Sequence, residues 1–255
     1  MSRTARMIMF CGAGGAFAVA AILAILVMPA FGGSSHPYRD HAVVASVHHQ
    51  APNAITSINF DQRGFDTLGE ETILLASVMG VSLLLRPADD ETETRELSSG
   101  RVLDVVRLGG YVLLPVTLII GLDVVTHGLL TPGGGFQGGV ILGTGLHLLY
   151  VAGRYDALEK VRPVTVFEWG EALGAGAFAC LGIAGVLAAG AFLVNFIPLG
   201  TFGDLISGGT APLLSGAVGV EVASGVMVLL SKFFEQAIRI TGDKNGDESA
   251  EAAGA

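Results

Sequence analysis

A single glutamate, Glu221, stands in the middle of an apolar run rich in small residues near the end of the chain. If this run spans a membrane, the carboxyl group lies at mid-bilayer, where a charge costs roughly 2.5–3.5 kcal/mol. Glu221 must then face protein rather than lipid. It is either a protonatable relay or cation-binding carboxylate, or a hydrogen-bond partner between helices with no transport role. Gly216, Gly219 and Gly225 give the same helix small surfaces that another helix can approach closely.

Asp123 and His127 form a second candidate group. They are four residues apart in an apolar run, so they lie on one face of a helix. Because imidazole titrates near neutral pH, the pair can exchange protons; alternatively, both side chains are simply hydrated at the helix end. His147 stands alone in the next apolar run and is expected to be a packing residue, with a relay role as the alternative.

Acidic side chains also open two of the apolar runs. The first group comprises Asp66, Glu70 and Glu71. The positive end of a helix dipole favours acids at such positions, and Thr67 with Glu70 has the spacing of a capping box. Capping is the favoured interpretation, although carboxylates gathered at a membrane edge can also attract cations. Glu168 and Glu171 open a later run, and capping is again the expected role.

A glycine-rich segment separates two apolar runs. It consists of Thr131, Pro132, Gly133, Gly134, Gly135, Phe136, Gln137, Gly138 and Gly139. Its amides would be unpaired in hydrocarbon, so it must lie at the interface or inside protein. The segment lacks the Gly-Lys-Ser/Thr ending of a phosphate-binding loop and follows no predicted strand. We therefore expect a tight turn at the start of the fourth long helix.

The composition is typical of a polytopic membrane protein. Of the 255 residues, 51% are hydrophobic and 15% charged, with a mean hydropathy of +0.62; soluble domains have about 25% charged residues. We predict an all-α transmembrane bundle with about six spans, at roughly 7–28, 67–85, 107–126, 136–153, 170–194 and 211–231. All basic residues except Arg39 and Arg63 then fall on one side, which predicts that both termini are cytoplasmic. The first span is expected to be retained, because its uncharged run is too long for a signal peptide.

The polar segments predict four regions: an N-terminal two-helix module (1–86), an acidic linker (87–106), a four-helix membrane domain (107–238) and a disordered acidic tail (239–255). The net charge of −9 comes from the acidic loops, and no basic cluster suggests nucleic-acid binding.

Two other sets of residues with possible chemistry are given structural interpretations. His36, His41, His48 and His49 fall in a segment, 32–60, that is predicted to be a solvated outer loop rather than a metal site. Cys11 and Cys180 lie in predicted spans without metal or disulfide spacing and are expected to be small buried apolar residues. No cofactor, metal site or hydrolytic arrangement is predicted.

The segment His127–Gly139 resembles the signature of the MnhB-domain family, the B-type subunits of Mrp-type Na⁺/H⁺ antiporters. The family usually has a second histidine where this chain has Leu129. The stretch Val218–Val222 is similar to the closing helix of that family. A different segment, Asp61–Glu70, is similar to the C-terminal part of the large A-type antiporter subunits and to a small subunit of membrane-bound hydrogenases. The resemblance implies a fusion of a hairpin like the end of the A-type subunits, from about residue 53, with a four-helix MnhB-like domain.

This resemblance implies an integral-membrane subunit of a multisubunit Na⁺/H⁺ antiporter, not an enzyme, in a prokaryotic cytoplasmic membrane. Its implied partners are other hydrophobic antiporter subunits, membrane lipid, and Na⁺ and H⁺ as transported ions, in cation efflux and pH homeostasis. Six helices with few buried charges suggest a part of an antiporter rather than a complete one. Two alternatives remain open: a subunit of a hydrogenase-type ion-pumping complex, and a non-conducting scaffold.

Overall fold

A computed structural model describes residues 3–28, 32–85, 103–152 and 164–253, and divides the chain into two units, Met1–His41 and Ala42–Ala255. In the first unit, α1 (Arg3–Val27) is a helix of 25 residues, and the exposed Arg39 and Asp40 side chains form an ion pair of 2.7 Å. The next helix, α2 (Pro37–His48), begins in this unit and ends in the second.

The described part of the second unit contains helices and no strands. The short helix α3 (Ala54–Ser57) and a π-helical turn (Ile58–Gln62) lead into α4 (Gly64–Leu84). The long helices that follow are α5 (Asp104–Thr126), α6 (Gly135–Ala152), α7 (Val164–Ala189) and α8 (Ala211–Ala253). The all-α prediction is therefore confirmed.

A helix is present at each of the six predicted spans. By length and composition, α4, α5, α7 and the portion Ala211–Phe233 of α8 are sufficient to cross a membrane, and Cys11–Val27 is a shorter apolar stretch. The helices α4, α5 and α7 begin three to six residues earlier than predicted. A span predicted from hydropathy leaves out polar residues, but the first turn of a helix accepts such residues at the membrane interface. The orientation with both termini inside remains a prediction.

Helix α8 is central in the second unit, where it packs against α4, α5, α6 and α7. Its buried Leu214, Val218 and Val222 contribute to one apolar core with Phe178 of α7 and Phe60 of the π-helical turn. The rings of Phe60 and Phe178 are tilted, with centroids 6.4 Å apart. Because α8 contacts every other long helix of this unit, a polar group on it is easily enclosed by protein.

Several local predictions were wrong. Residues 37–62 are largely helical rather than a loop, because polar composition argues against a membrane span but not against short capped helices. Cys11 and Cys180 are exposed rather than buried, because both lie on outward faces of their helices. Helix α8 extends to Ala253, and the prediction of a disordered acidic tail at 239–255 remains a prediction. Most of the predicted linker, at 86–102, lies outside the described residues.

Candidate functional site

Three glutamates on three different helices are buried in the second unit: Glu71 on α4, Glu171 on α7 and Glu221 on α8. These residues are 2%, 4% and 0% exposed, respectively. Glu171 and Glu221 lie where α7 packs closely on α8, and Glu71 lies on α4, which also packs against α8. We call Glu71, Glu171 and Glu221 the glutamate cluster.

Close antiparallel packing of α7 on α8 brings Glu171 and Glu221 together. A Cβ atom added at Gly174 would lie 2.7 Å from the Cβ of Glu221, so a larger residue would push the two helices apart. A Cβ added at Gly225 would lie 3.1 Å from Oε1 of Glu171. The Glu171 carboxyl group therefore reaches α8 about one helical turn beyond Glu221.

Glu71 joins the cluster from α4, which runs parallel to α8. Val78, seven residues further along α4, packs beside Gly225 of α8. A Cβ atom added at Gly225 would lie 3.4 Å from Cγ2 of Val78. A helix rises by about 1.5 Å per residue, so along the helix axis Glu71 precedes Val78 by about 10 Å and Glu221 precedes Gly225 by about 6 Å. The backbones of Glu71 and Glu221 thus lie within about one helical turn of each other along the bundle.

The carboxyl oxygens of the cluster are poorly satisfied by the described residues. Both oxygens of Glu71, both of Glu221 and Oε1 of Glu171 have no hydrogen-bond partner within this part of the chain. Buried polar atoms are normally hydrogen-bonded, and an isolated buried charge is strongly disfavoured. Each carboxylate therefore needs a proton, a cation or a group from outside the described residues to balance it.

The role of Glu171 was missed in the sequence. It lies seven residues inside α7, beyond the first turn in which the helix dipole acts, so the capping prediction was wrong. A signal was nevertheless present, because Glu171 shares its spacing of three or four residues with the other buried positions of α7: Gly174, Phe178, Gly182 and Gly185. This pattern marks the face of α7 that is enclosed by protein.

The other acids near Glu71 lie at the surface. Asp66 forms an ion pair with Arg63, and both Asp66 and Glu70 are exposed. The predicted capping box is absent, because α4 begins at Gly64 and the Thr67 hydroxyl donates instead to the carbonyl of Asn59, at 2.7 Å. A cation-gathering role for Asp66 and Glu70 remains a prediction.

Asp123 and His127 form the expected pair at the end of α5. His127 Nδ1 lies 2.8 Å from Asp123 Oδ1, and the side chains are 39% and 62% exposed, respectively. The pair is therefore accessible from outside the chain. His147 is buried on α6, where its Nδ1 lies 2.7 Å from the carbonyl oxygen of Gly143. Proton transfer by these residues remains a prediction.

The glycine-rich segment forms a tight turn before α6. Gly133 and Gly134 have φ values of 152° and 141°, a region that L side chains rarely adopt. Leu129, in the preceding turn, is buried beside Gly208: a Cβ added at Gly208 would lie 2.9 Å from Leu129 Cδ2. The surroundings of Leu129 therefore favour an apolar side chain at position 129.

Glycines also set the contact between α6 and α8. A Cβ added at Gly135 would lie 2.8 Å from Val218 Cβ, one at Gly139 would lie 2.8 Å from Val222 Cβ, and one at Gly143 would lie 3.1 Å from Val226 Cγ1. The residue numbers of the contacting pairs increase by four on both helices, so α6 and α8 run parallel to each other. The same glycine stripe, with its period of four residues, places His147 on the side of α6 that faces α8.

Asn53 holds the glycine-rich turn from the N-terminal side. Its Nδ2 donates to the carbonyls of Gly128 and Thr131, both at 2.8 Å, and its Oδ1 accepts the amide of Ile55 at the start of α3. The hydroxyl of Thr56 donates to the same Gly128 carbonyl at 2.7 Å. The segment before α4 is thereby attached to the α5–α6 turn.

We expect Asn53→Ala to destabilise this attachment by about 1–3 kcal/mol, because it removes the α3 cap and the donors to two carbonyls of the turn. The measurement is the thermal unfolding midpoint of the purified protein in detergent. Asn59→Ala is the matched control, since Asn59 is exposed on the neighbouring π-helical turn. Equal midpoints for the two variants would contradict the expected role of Asn53.

A histidine–carboxylate contact at the same end of the unit was also missed. His49 Nδ1 and Asp61 Oδ2 form a short contact, with the Asp61 side chain largely buried and His49 partly exposed. His49 is therefore paired with a carboxylate, while its side chain stays 43% exposed. Nothing in the local sequence signals the pair, because the two residues are 12 positions apart.

The fold and the cluster define the class of the protein: a multi-pass helical membrane protein with buried carboxyl groups at the depth of its spans. Residues 105–228 match a family described as a domain related to the MnhB subunit of Na⁺/H⁺ antiporters. This match agrees with the resemblance carried by the glycine-rich segment, which lies within it. Asp123, His147, Glu171 and Glu221 lie within this domain, whereas Glu71 precedes it.

The chain is also similar to one relative in sequence and to two chains of known structure. An uncharacterized protein of Methanocaldococcus jannaschii is 29% identical over 208 residues, covering 70% of this chain and 76% of the relative. A chain of the membrane-bound sulfane sulfur reductase, an archaeal respiratory membrane complex, has a TM-score of 0.68 and 25% identity, covering 89% of this chain and 97% of that chain. A chain of the Mrp complex from Dietzia sp. DQ12-45-1b has a TM-score of 0.65 and 24% identity, covering 91% of this chain but 26% of the longer chain.

Proposed function

We propose that this protein is an integral-membrane subunit of a multisubunit monovalent cation/proton antiporter that exports Na⁺ in exchange for H⁺. The observation that carries the proposal is the fully buried Glu221, which lies in the region that matches an MnhB-related domain, where α7 with its buried Glu171 packs closely on α8. Ionisable residues at bilayer depth are costly, and they typically mark ion or proton paths. The protein is accordingly an ion-transporter subunit rather than an enzyme.

In this proposal Glu221 is the central relay group, and Glu71 is its neighbour toward the start of α4. The accessible Asp123–His127 pair exchanges protons at the end of α5, and His147 is a further relay candidate on the face of α6 toward α8. Asp66 and Glu70 attract cations at the start of α4.

The partners are other hydrophobic subunits in a prokaryotic cytoplasmic membrane. Large apolar side chains are exposed along the outward faces of the helices; on α5 they include Leu108, Val112 and Ile119. Lipid or neighbouring subunits must cover such faces. The two structural neighbours are chains of multisubunit complexes, which supports a subunit rather than a self-sufficient transporter.

The likeness to a sulfane sulfur reductase chain supports one alternative, a membrane subunit of an ion-pumping oxidoreductase. The experiment that separates the two is purification of the tagged protein from its native membrane, followed by identification of the accompanying chains. Further antiporter subunits, with Na⁺-dependent dissipation of a pH gradient in everted vesicles, would support the proposed function. Accompanying iron–sulfur or hydrogenase subunits, with no such exchange, would support the alternative.

For the exposed Asp123–His127 pair we expect a small effect on stability and a moderate effect on exchange. Surface ion pairs contribute about 0–1 kcal/mol, so Asp123→Asn should leave the unfolding midpoint nearly unchanged. If the pair passes protons, His127→Gln should lower the rate of exchange, because a glutamine side chain cannot take up and release a proton. The measurement is the pH profile of exchange in everted vesicles, and an unchanged profile would remove the pair from the relay.

A further inference from the structure

We propose that the loop between α7 and α8 carries a docking surface for the extramembrane part of a partner subunit, which presents an apolar recess beside a basic side chain. The surface consists of Phe202, Leu205 and Ile206, with Asp204 among them. We call these four residues the loop surface. The inference rests on the proposed function, in which other subunits surround this chain, and it names a place where one of them binds.

The loop lies at the end of the helix bundle where α4 and α8 begin. Val78 and Gly225 pack together and are equally far from the first residues of α4 and α8, so these two helices begin at one level. Gly174 of α7 packs beside Glu221 of α8. From this contact α8 begins about 15 Å away, whereas α7 continues for about 22 Å toward the same end. The last turn of α7 therefore projects about 7 Å past the start of α8, and the loop joins these two ends.

Lipid tails cannot cover the loop surface. Residues 201–206 are exposed without interruption, and their backbone is not helical. In hydrocarbon the amides and carbonyls of such a segment would lack partners, so exposed irregular backbone lies outside the lipid core. Leu187, on the projecting end of α7, is a further large apolar residue at this end, and it is 84% exposed. Either water or protein must cover these side chains.

The composition of this region favours protein over water. From Ile183 to Thr210 the only ionisable residue is Asp204, whereas about a quarter of the residues of a soluble domain are charged. The three apolar residues of the loop surface lie within five positions of one another and are each about half exposed or more. Aromatic and large aliphatic side chains with few charges are typical of the centre of a protein–protein interface.

Hydrogen bonds at the base of the loop hold the loop surface outward. Asn195 Oδ1 accepts the amide of Thr210 at 2.9 Å, and Asn195 Nδ2 donates to the carbonyl of Gly208 at 3.0 Å. The amide of Gly208 donates to the carbonyl of Leu199 at 2.8 Å. The residues from Ser207 to Thr210 are buried. A loop that is already ordered loses less conformational freedom when a partner binds, which favours association.

Asp204 determines the charge that the partner must present. Its side chain is exposed and forms no ion pair within the part of the chain that the structure describes. Because Asp204 lies between Phe202 and Leu205, a partner that covers these two residues also removes water from the carboxylate. An unpaired charge in such a place is strongly disfavoured. We therefore expect a lysine or arginine of the partner to lie beside the recess that receives the apolar residues.

The first test places the photoreactive amino acid benzoylphenylalanine at position 202, in the full chain within its native membrane. After irradiation, mass spectrometry identifies what has been attached to the loop. We expect one major adduct, with a segment of a different subunit that contains apolar residues and a lysine or arginine. An adduct with lipid or with a second copy of this chain, or the absence of any adduct, would overturn the inference.

The second test measures how much of that subunit is recovered with the tagged protein. Ile206→Asp should lower the recovery at least about tenfold, because loss of an interface anchor commonly has an effect of this size. Ile206→Leu is the matched control and should bind like the wild type, since it keeps the apolar contact. Asp204→Lys should also lower the recovery, because it places two positive charges together.

The unfolding midpoint of each purified variant in detergent separates lost binding from lost folding. Ile206 is exposed, so Ile206→Asp should leave the midpoint nearly unchanged; if the midpoint falls, the adduct at position 202 decides the question. Equal recovery for Ile206→Asp and the wild type would overturn the inference, and normal recovery for Asp204→Lys would exclude the basic side chain. Failure of the proposed function is distinguishable, because an adduct with an oxidoreductase subunit would contradict the antiporter and leave the docking surface in place.

Discussion

Replacing Glu221 with glutamine is expected to reduce Na⁺-dependent exchange at least about tenfold while the complex still assembles. Glutamine keeps the shape of the side chain and its ability to form hydrogen bonds, but it can neither release a proton nor balance the charge of a cation. Removing a buried charge without changing volume should not weaken the packing of α8. Exchange is measured as dissipation of a pH gradient in everted vesicles, and assembly as the yield of co-purifying subunits.

Glu70→Gln provides the control for this experiment. Glu70 is an exposed acid next to Glu71 in sequence, so its neutralisation removes one carboxylate from the same helix without entering the buried site. We expect exchange close to that of the wild type. If Glu221→Gln also exchanges normally in assembled complexes, Glu221 is a structural hydrogen-bond partner and the relay proposal fails. Loss of exchange together with loss of assembly would instead support the scaffold interpretation.

Enlarging Gly139 is expected to prevent correct packing of α6 against α8. A Cβ at this position would already lie 2.8 Å from Val222 Cβ and 2.9 Å from the Gly219 carbonyl oxygen. The backbone of α8 cannot move aside without disturbing its contacts with α7, so Gly139→Leu should cost at least about 1–3 kcal/mol, the range for overpacked cores. We expect little protein in the membrane fraction and a lower unfolding midpoint for the remainder.

Gly176→Leu is the matched control on another long helix. A Cβ added at Gly176 would meet nothing within 4 Å, so this side of α7 has space for a larger residue within the chain. Gly139→Ala should fall between the two leucine variants, because it introduces a single methyl group. Similar yields and midpoints for Gly139→Leu and Gly176→Leu would show that the close α6–α8 contact does not determine stability.

The two largest expected effects have a common structural origin. Gly139 on α6 and Gly174 on α7 allow both helices to approach α8 closely, one beside Val222 and the other beside Glu221. This packing removes lipid and water from around Glu221, so the same contacts that stabilise the bundle also set the environment of its carboxyl group. A variant that loosens either contact should therefore impair exchange even where the protein still reaches the membrane.

Much about this protein could be read from its residues in order. Long apolar runs predicted the positions of the long helices, because a membrane span requires about 20 apolar residues and composition alone reveals it. Glu221 was identifiable as buried in protein because an acid in the middle of such a run has few alternatives. The glycine-rich segment predicted both the turn before α6 and the MnhB-related domain.

Only the tertiary structure showed which acids are buried on helices that pack together around α8. Glu71, Glu171 and Glu221 are far apart in the chain, and the first two look like ordinary capping residues near the starts of their helices. Their meeting depends on the rotation and direction of α4 and α7 against α8, which follow from glycine contacts spread over several helices. The local sequence shows how far a residue lies from the end of its helix. It does not show which face of that helix a neighbouring helix covers, because this depends on how all the helices pack together.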